Sequence, residues 1–222
     1  MNEKEKNPSG EKGYGGSFAS RHLFKPFSTR LSAAVYHTSI TPTQLTNIGF
    51  LIGMIGVFML LSENYLVLIL GCVLIFTQHV FDCADGDLAR MKGMTSKTGA
   101  LNDEFTDRMF ENALFFIVTL VAYKNTGDIW VWPIGMLAVI GNLRMVALYL
   151  KLEGLGYKGQ SIKQLPAWRQ LLNYGGENNL LIIIVGVLTG YILYALLAIA
   201  ILTNGFSFVR FFYTIKKLEA SQ

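Results

Sequence analysis

Seven of the fifteen Asp and Glu residues of this chain fall between positions 82 and 111: Asp82, Asp85, Asp87, Asp103, Glu104, Asp107 and Glu111. Asp82 directly follows the apolar run Gly71 to Phe81, and Asp107 lies about two turns ahead of the apolar run Leu114 to Ala122. The acids therefore occupy the ends of two consecutive membrane helices. A lone charge buried there costs about 2.5 kcal/mol or more, which makes an acid in such a place a functional candidate. Asp82 and Asp85 are three apart and share one helical face, while Asp103 and Asp107 are four apart and share another. Two antiparallel helices can aim these four carboxylates at one cavity. Uncompensated, the four would repel, and a divalent cation removes the repulsion. With oxygen ligands only and no His or Cys in register, the hard ions Mg²⁺ or Mn²⁺ are expected in preference to zinc. Between the pairs lie Gly86, Ala89 and Gly99, small enough for a bulky ligand to approach the backbone, and Arg90, whose forked donors suit phosphate. Carboxylate-held metal beside a glycine-lined pocket and an arginine can hold a pyrophosphate. Asp87, Glu104 and Glu111 are read as solvated loop or interface charges.

The elements that carry these acids follow from composition. Of the 222 residues, 52% are hydrophobic and only 15% charged, too little polar surface for a compact soluble fold. That balance argues against a disordered, nucleic-acid-binding or disulfide-rich secreted protein. Cys72 and Cys83 sit in apolar surroundings and are read as small packing residues. Stretches able to cross about 30 Å of hydrocarbon fall at roughly 45–61, 66–82, 109–123 and 129–150. The block Leu180 to Tyr213 is too long for one span, and Thr189-Gly190 within it marks a tight reversal. The fold expected is an all-α membrane protein of six transmembrane helices with an N-terminal interfacial amphipathic helix. Residues 1–17 read as a disordered cytoplasmic tail, 18–40 as the amphipathic juxtamembrane helix, and 41–218 as the six-helix catalytic domain. In the amphipathic segment Phe18, Leu23, Phe24, Phe27, Leu31, Ala34 and Val35 form the expected apolar stripe, with a kink or restart at Pro26. Thr41 is the expected N-cap of the first span and Pro42 its first helical residue. Fifteen Lys and Arg fall on one side of these spans against Lys124 alone on the other, which places both termini and the acid-bearing ends in the cytoplasm.

The run Asp82-Cys-Ala-Asp85-Gly86-Asp-Leu-Ala89-Arg90, followed after eight residues by Gly99-Ala-Leu-Asn-Asp103-Glu-Phe-Thr-Asp107, resembles the signature of the CDP-alcohol phosphotransferase (CDP-alcohol phosphatidyltransferase) family at all eight of its fixed positions. The span count, the amphipathic helix and the stretch Thr41-Pro42-Thr43-Gln-Leu45-Thr46 are similar to the family too, so the resemblance covers nearly the whole chain. It implies a reaction in which a CDP-linked alcohol gives its phospho-alcohol group to a second alcohol and CMP is released. By position it implies Asp82, Asp85 and Asp103 as metal ligands and Asp107 as general base that also contributes to the metal site, with Mg²⁺ or Mn²⁺, two ions per site. Gly86, Ala89, Arg90, Gly99 and Thr43 would line the cytidine diphosphate pocket. A homodimer is implied as well, for which Gly135, Ala138 and Gly141 of the fourth span offer a face for close helix approach.

The alcohols are less closely specified. The donor stays open among a CDP-diacylglycerol, a CDP-archaeol and a soluble CDP-polyol. Arg144 and Arg210 interrupt apolar stretches and Lys151 closes one; weighed against snorkelling to the headgroups, they suit a phosphorylated acceptor such as inositol phosphate or glycerol phosphate. Glu153-Gly-Leu-Gly156 and Ser20-Arg21…Thr29-Arg30-Leu-Ser32 resemble the inositol-phosphate branches of the family, with Leu150-Lys151-Leu152 where those branches carry Arg-Ala-Arg. His22, His37 and His79 lack an acid at ligand spacing and are read as packing or local hydrogen-bonding residues. Trp130, Trp132 and Trp168 fit an aromatic belt, and Gly175-Gly176 a loop break. The rival class is a divalent-cation transporter or channel, which also places acids at membrane depth. It accounts for the aspartates but not for Gly86, Ala89, Arg90 and Gly99 at their spacings.

Overall fold

A computed structural model of the chain describes residues 19–154 and 174–219, and the regular structure there is entirely helical. A π-helical turn, Ser20–Phe24, runs into α1 (Lys25–Tyr36), followed by α2 (Pro42–Met59), α3 (Tyr65–Lys92) and α4 (Lys97–Thr126). After them come α5 (Val131–Gly154), α6 (Gly176–Thr189) and α7 (Ile192–Glu219). The helices fall into two compact units, Met1–Leu114 and Phe115–Gln222, so that α4 contributes its first half to one and its second half to the other.

In the first unit α2 lies against α3, and three glycines spaced i, i+4, i+7 set how closely. A side chain on Gly56 would start 2.7 Å from the Gly71 carbonyl oxygen, one on Gly49 2.6 Å from Phe81, and one on Gly53 2.6 Å from Gln78. α2 starts where expected: the Thr41 hydroxyl accepts from the Gln44 backbone amide at 3.3 Å, and the Gln44 side chain accepts from the Thr41 amide at 2.9 Å, with Pro42 as first helical residue. Pro26 likewise falls in the first turn of α1, just after the π-helical turn, as a restart requires.

The α1 stripe divides in a way that periodicity alone does not show. Phe24, Ser28 and Ser32 are buried, and Leu31 and Val35 pack on the Leu45–Ala84–Leu88 core. Leu23 and Phe27 turn outward, Phe27 being 51% exposed. The helix thus seats a partly hydroxylic face on α3, where small serines permit close approach, and presents Leu23 and Phe27 to the surroundings. Its C-terminal end is held by Lys92, whose ammonium donates to the carbonyls of Thr38 and Ile40 at 2.8 Å each.

α3 continues ten residues beyond Asp82 and α4 begins ten before Asp107, so the motif lies on helix throughout except for a short link. Gly93, at φ 64°, closes α3 in the left-handed conformation that favours glycine. Ser96 then accepts from the Gly99 amide at 3.0 Å as α4 starts.

In the second unit α5 and α6 each pack on α7. A Cβ on Gly135 would strike Thr119, and one on Gly141 would lie 2.7 Å from the Asn204 amide nitrogen, while Ala138 is fully buried. This corrects the expectation that these three small residues serve a dimer: they are spent on packing within the chain. α6 reverses into α7 at Gly190, at φ 77°, where Thr189-Gly190 was expected to turn the chain.

Among the described residues, four helical segments are long and apolar enough to cross a membrane: Pro42–Met59, Tyr65–Lys92, Val131–Leu148 and Ile192–Phe212. The chain is an all-α, multi-span membrane protein with four such segments where six were expected. α4 falls short because its first half carries the acids, and α6 because 14 residues rise only about 21 Å.

Candidate active site

The site lies in the first unit, where α2, α3 and α4 bring polar side chains together. Carboxylate oxygens of Asp82, Asp85 and Asp103 lie within 4.8 Å of one another. Asp107 joins them, with Asp82 and Asp103 as charged neighbours. The two pairs predicted from i, i+3 and i, i+4 spacing therefore do converge.

Asp85 is the most enclosed, and the Thr46 hydroxyl of α2 donates to its Oδ2 at 2.5 Å. Between α4 and α2 the Asn102 amide donates to Asn47 Oδ1 at 3.2 Å. Neither Thr46 nor Asn47 was given a role from sequence, yet the signal was present: Thr43, Thr46 and Asn47 are polar at i, i+3, i+4 on a helix whose only other polar side chain, Gln44, is used in its cap. Thr43 Oγ1 in turn lies 3.9 Å from where a Gly99 side chain would begin, which brings two of the expected pocket residues together. Gly86 faces Arg90, with Nη1 3.5 Å from its missing Cβ.

The donor set suits a divalent cation. Asp103 Oδ1 is buried without a hydrogen-bond partner, an acceptor that burial leaves costly unless something positive meets it. The nearby Arg108 is engaged by Glu104 at 3.1 Å and by Glu111, so those two acids are paired to one arginine. One expectation needs correction. His79 and Cys83 do stand in register with Asp82: His79 Nδ1 is 3.8 Å from Asp82 Oδ2, and His79, Asp82 and Cys83 form a second group whose ligand atoms lie within 4.8 Å. His79 sits at i−3 from an acid, a spacing that its apolar surroundings obscured. It is also a packing residue, edge-on to Phe24 at 4.4 Å. Cys72 and Cys83 are buried and not disulfide-bonded to one another.

A second correction concerns Asp87, expected in solvent. It is 8% exposed and lies between Lys25 and Arg90, both at 2.7 Å. Its position two residues after Asp85 turns it toward α1, whose packing on α3 no sequence period announces.

The residues expected to receive the acceptor belong to the second unit. Arg144 donates to Asn204 and stacks over the Phe208 ring at 4.9 Å, so it is partnered among the helices. Lys151 is exposed and Arg210 half-buried. Gly156 and Trp168 lie outside the described residues, as do 1–18. Trp130 is exposed, and Trp132 packs against Phe116 and Tyr123. Gly175 caps α6 from an extended conformation, as a loop break does.

A multi-span helical scaffold with a cation-ready set of carboxylates at the meeting of three helices defines the class. Within it, the chain belongs to the CDP-alcohol phosphatidyltransferase family, whose pattern matches residues 39–204. It is therefore an integral membrane protein of that family. It is 29% identical over 211 residues to the bifunctional IPC transferase and DIPP synthase of Thermococcus kodakarensis, covering 94% of this chain and 46% of that protein. It is 31% identical over 113 residues to the archaetidylinositol phosphate synthase of Pyrococcus horikoshii, covering 51% of this chain and 55% of that one. The chain thus spans about half the length of these relatives. Phosphatidylinositol phosphate synthase of Mycobacterium tuberculosis, solved with CDP-DAG bound, superposes with a TM-score of 0.65 at 16% identity, over 83% of this chain and 91% of that one. That likeness is one of fold.

Proposed function

We propose that the chain transfers the phospho-alcohol group of a CDP-linked alcohol to the hydroxyl of a phosphorylated polyol, an inositol phosphate before a glycerol phosphate, and releases CMP. The observation that carries this is the convergence of Asp82, Asp85 and Asp103 in a chain that matches the family over residues 39–204. The inositol preference is drawn from relatives whose names specify archaetidylinositol phosphate and phosphatidylinositol phosphate.

In this reading Asp82, Asp85 and Asp103, with a contribution from Asp107, hold Mg²⁺ or Mn²⁺, two ions per site. When bound, such ions would offset the charge that gathers on the pyrophosphate as CMP departs. Thr46 fixes the Asp85 carboxylate by donating to it. Thr43, Gly86, Ala89, Arg90 and Gly99 line the cytidine diphosphate pocket, the small residues leaving room and Arg90 meeting phosphate oxygen. Asp107 accepts the proton of the acceptor hydroxyl as its oxygen bonds to the phosphorus next to the donor alcohol and the bond from that phosphorus to the CMP oxygen breaks. Six spans, with α4 and α6 as the short ones, a cytoplasmic active site and a homodimer complete the proposal. A dimer contact through α5 would use outward positions such as Met136 and Ile140, since the glycines are occupied.

The test is labelled CMP release by the purified protein from CDP-diacylglycerol, CDP-archaeol and CDP-inositol, each with inositol phosphate and with glycerol phosphate, in Mg²⁺ or Mn²⁺. Release that requires both partners is expected. Absence of release with every pair, together with Mn²⁺ flux into protein-loaded liposomes, would favour the transporter reading instead.

A further inference from the structure

Asp87 is a buried carboxylate held between two cations. Both of its oxygens accept from Lys25 Nζ at 2.7 Å, and Oδ1 also accepts from Arg90 Nη2 at 2.7 Å. Desolvation commonly offsets the attraction within a buried ion pair, so stability alone is a weak reason for three such groups. Geometry offers a better one. Arg90 lies one turn beyond Asp87 on α3, folds back across Gly86, and leaves half of its side chain exposed. A guanidinium is planar, so fixing one nitrogen by a charged bond restricts the plane in which the others can meet phosphate. Lys25 comes from α1, 62 residues earlier, and is the contact through which the juxtamembrane helix reaches this group.

We propose that Asp87 is a positioning residue for the CDP donor: with Lys25 as its counter-cation it fixes the Arg90 guanidinium over Gly86, so the seating of α1 on α3 sets nucleotide affinity. This rests on the reading of Arg90 as a contact of the cytidine diphosphate. The second clamp on α1, from Lys92 to the carbonyls of Thr38 and Ile40, steadies the same seating without touching Arg90.

The test uses the full chain in lipid nanodiscs, labelled CDP as the nucleotide probe at saturating Mg²⁺, and a separate Mn²⁺ titration. Arg90→Gln and Asp87→Asn are each expected to weaken CDP binding about 10-fold, the scale of one charge-assisted hydrogen bond. The double variant should bind about as weakly as Arg90→Gln alone, because both changes act through one contact. Mn²⁺ affinity of Asp87→Asn should stay at the wild-type value. Lys25→Met should lose CDP affinity and Lys25→Arg should keep it, which tests the arrangement even if Asp87→Asn folds poorly. Wild-type CDP binding by Arg90→Gln would overturn the reading of Arg90 itself. Weakened binding by Arg90→Gln with unchanged binding by Asp87→Asn and Lys25→Met would overturn only the positioning role, as would additive losses or an equal loss of Mn²⁺ affinity in Asp87→Asn.

Discussion

Asp107 stands beside three other acids, and its proposed task differs from theirs. Replacing it by Asn preserves size and hydrogen bonding but removes the proton acceptor, so turnover at saturating metal should fall by about 10²- to 10⁴-fold with little change in CDP binding. Asp85→Asn is the comparison: a ligand lost from α3 should weaken Mn²⁺ and CDP binding along with rate. Normal turnover by Asp107→Asn would assign the proton to another group. Thr46→Val keeps the shape of the buried side chain and deletes its bond to Asp85. Mn²⁺ affinity should drop by about 10- to 100-fold, as when a partner of a metal ligand is removed, and a titration with unchanged affinity would make Thr46 a packing residue only. The four aspartates were legible because acids are conspicuous in apolar sequence and their spacing states which face they share. Asp87 was not, since what decides its role is α1, and sequence spacing carries no information about which side of α3 that helix covers; His79 was passed over although its spacing from Asp82 was readable.

At the scale of elements, the meeting of α2 and α3 sets where Thr46 can reach Asp85. Gly56→Ala would place a Cβ 2.7 Å from the Gly71 carbonyl oxygen and 3.0 Å from the Ile75 amide nitrogen, both backbone atoms that cannot turn aside. The expected cost is about 1–3 kcal/mol of stability, visible as a lowered unfolding temperature in detergent. Gly86→Ala is the control, because its nearest atom is the flexible Arg90 tip at 3.5 Å and its unfolding should match the wild type. Equal unfolding temperatures for Gly56→Ala and the wild type would show that α2 and α3 can part without penalty. Element starts were readable where side chains act on their own backbone, as at Thr41-Pro42 and Gly190. Element lengths were less so. Apolar runs mark the membrane-embedded part of a helix, and α3 and α4 extend past it as charged helix, so Arg90 and Lys92 lie on α3 and not in a loop.

For the molecule as a whole the open quantity is how many times the chain crosses. α2, α3, α5 and α7 contain the four long apolar segments, and the path between them depends on α4 and α6. If α4 crosses, the turn at Asp128 lies on the same side as the turn at Glu63; if it does not, the two lie on opposite sides. If α6 crosses as well, Tyr191 joins them and the C-terminus returns to the side of Thr95. The count of Lys and Arg favours this arrangement, since it leaves Lys124 alone on the outer side and gathers Arg90, Lys92, Lys97, Lys151 and Lys216 on the inner one. Single reporter cysteines at Glu63, Thr95, Asp128 and Tyr191 all fall on exposed turn or link positions, while Cys72 and Cys83 are buried and should give little background. In intact cells a membrane-impermeant maleimide should label the reporters at 63, 128 and 191, and reach that at 95 only after permeabilisation. Labelling at 128 that required permeabilisation would remove α4 from the spans; with 128 labelled in intact cells, a reporter at 191 that required permeabilisation would remove α6. Because Asp103 and Asp107 stand on the first half of α4, the first of these outcomes would leave the side of the carboxylates unchanged and alter only where the second unit enters the bilayer.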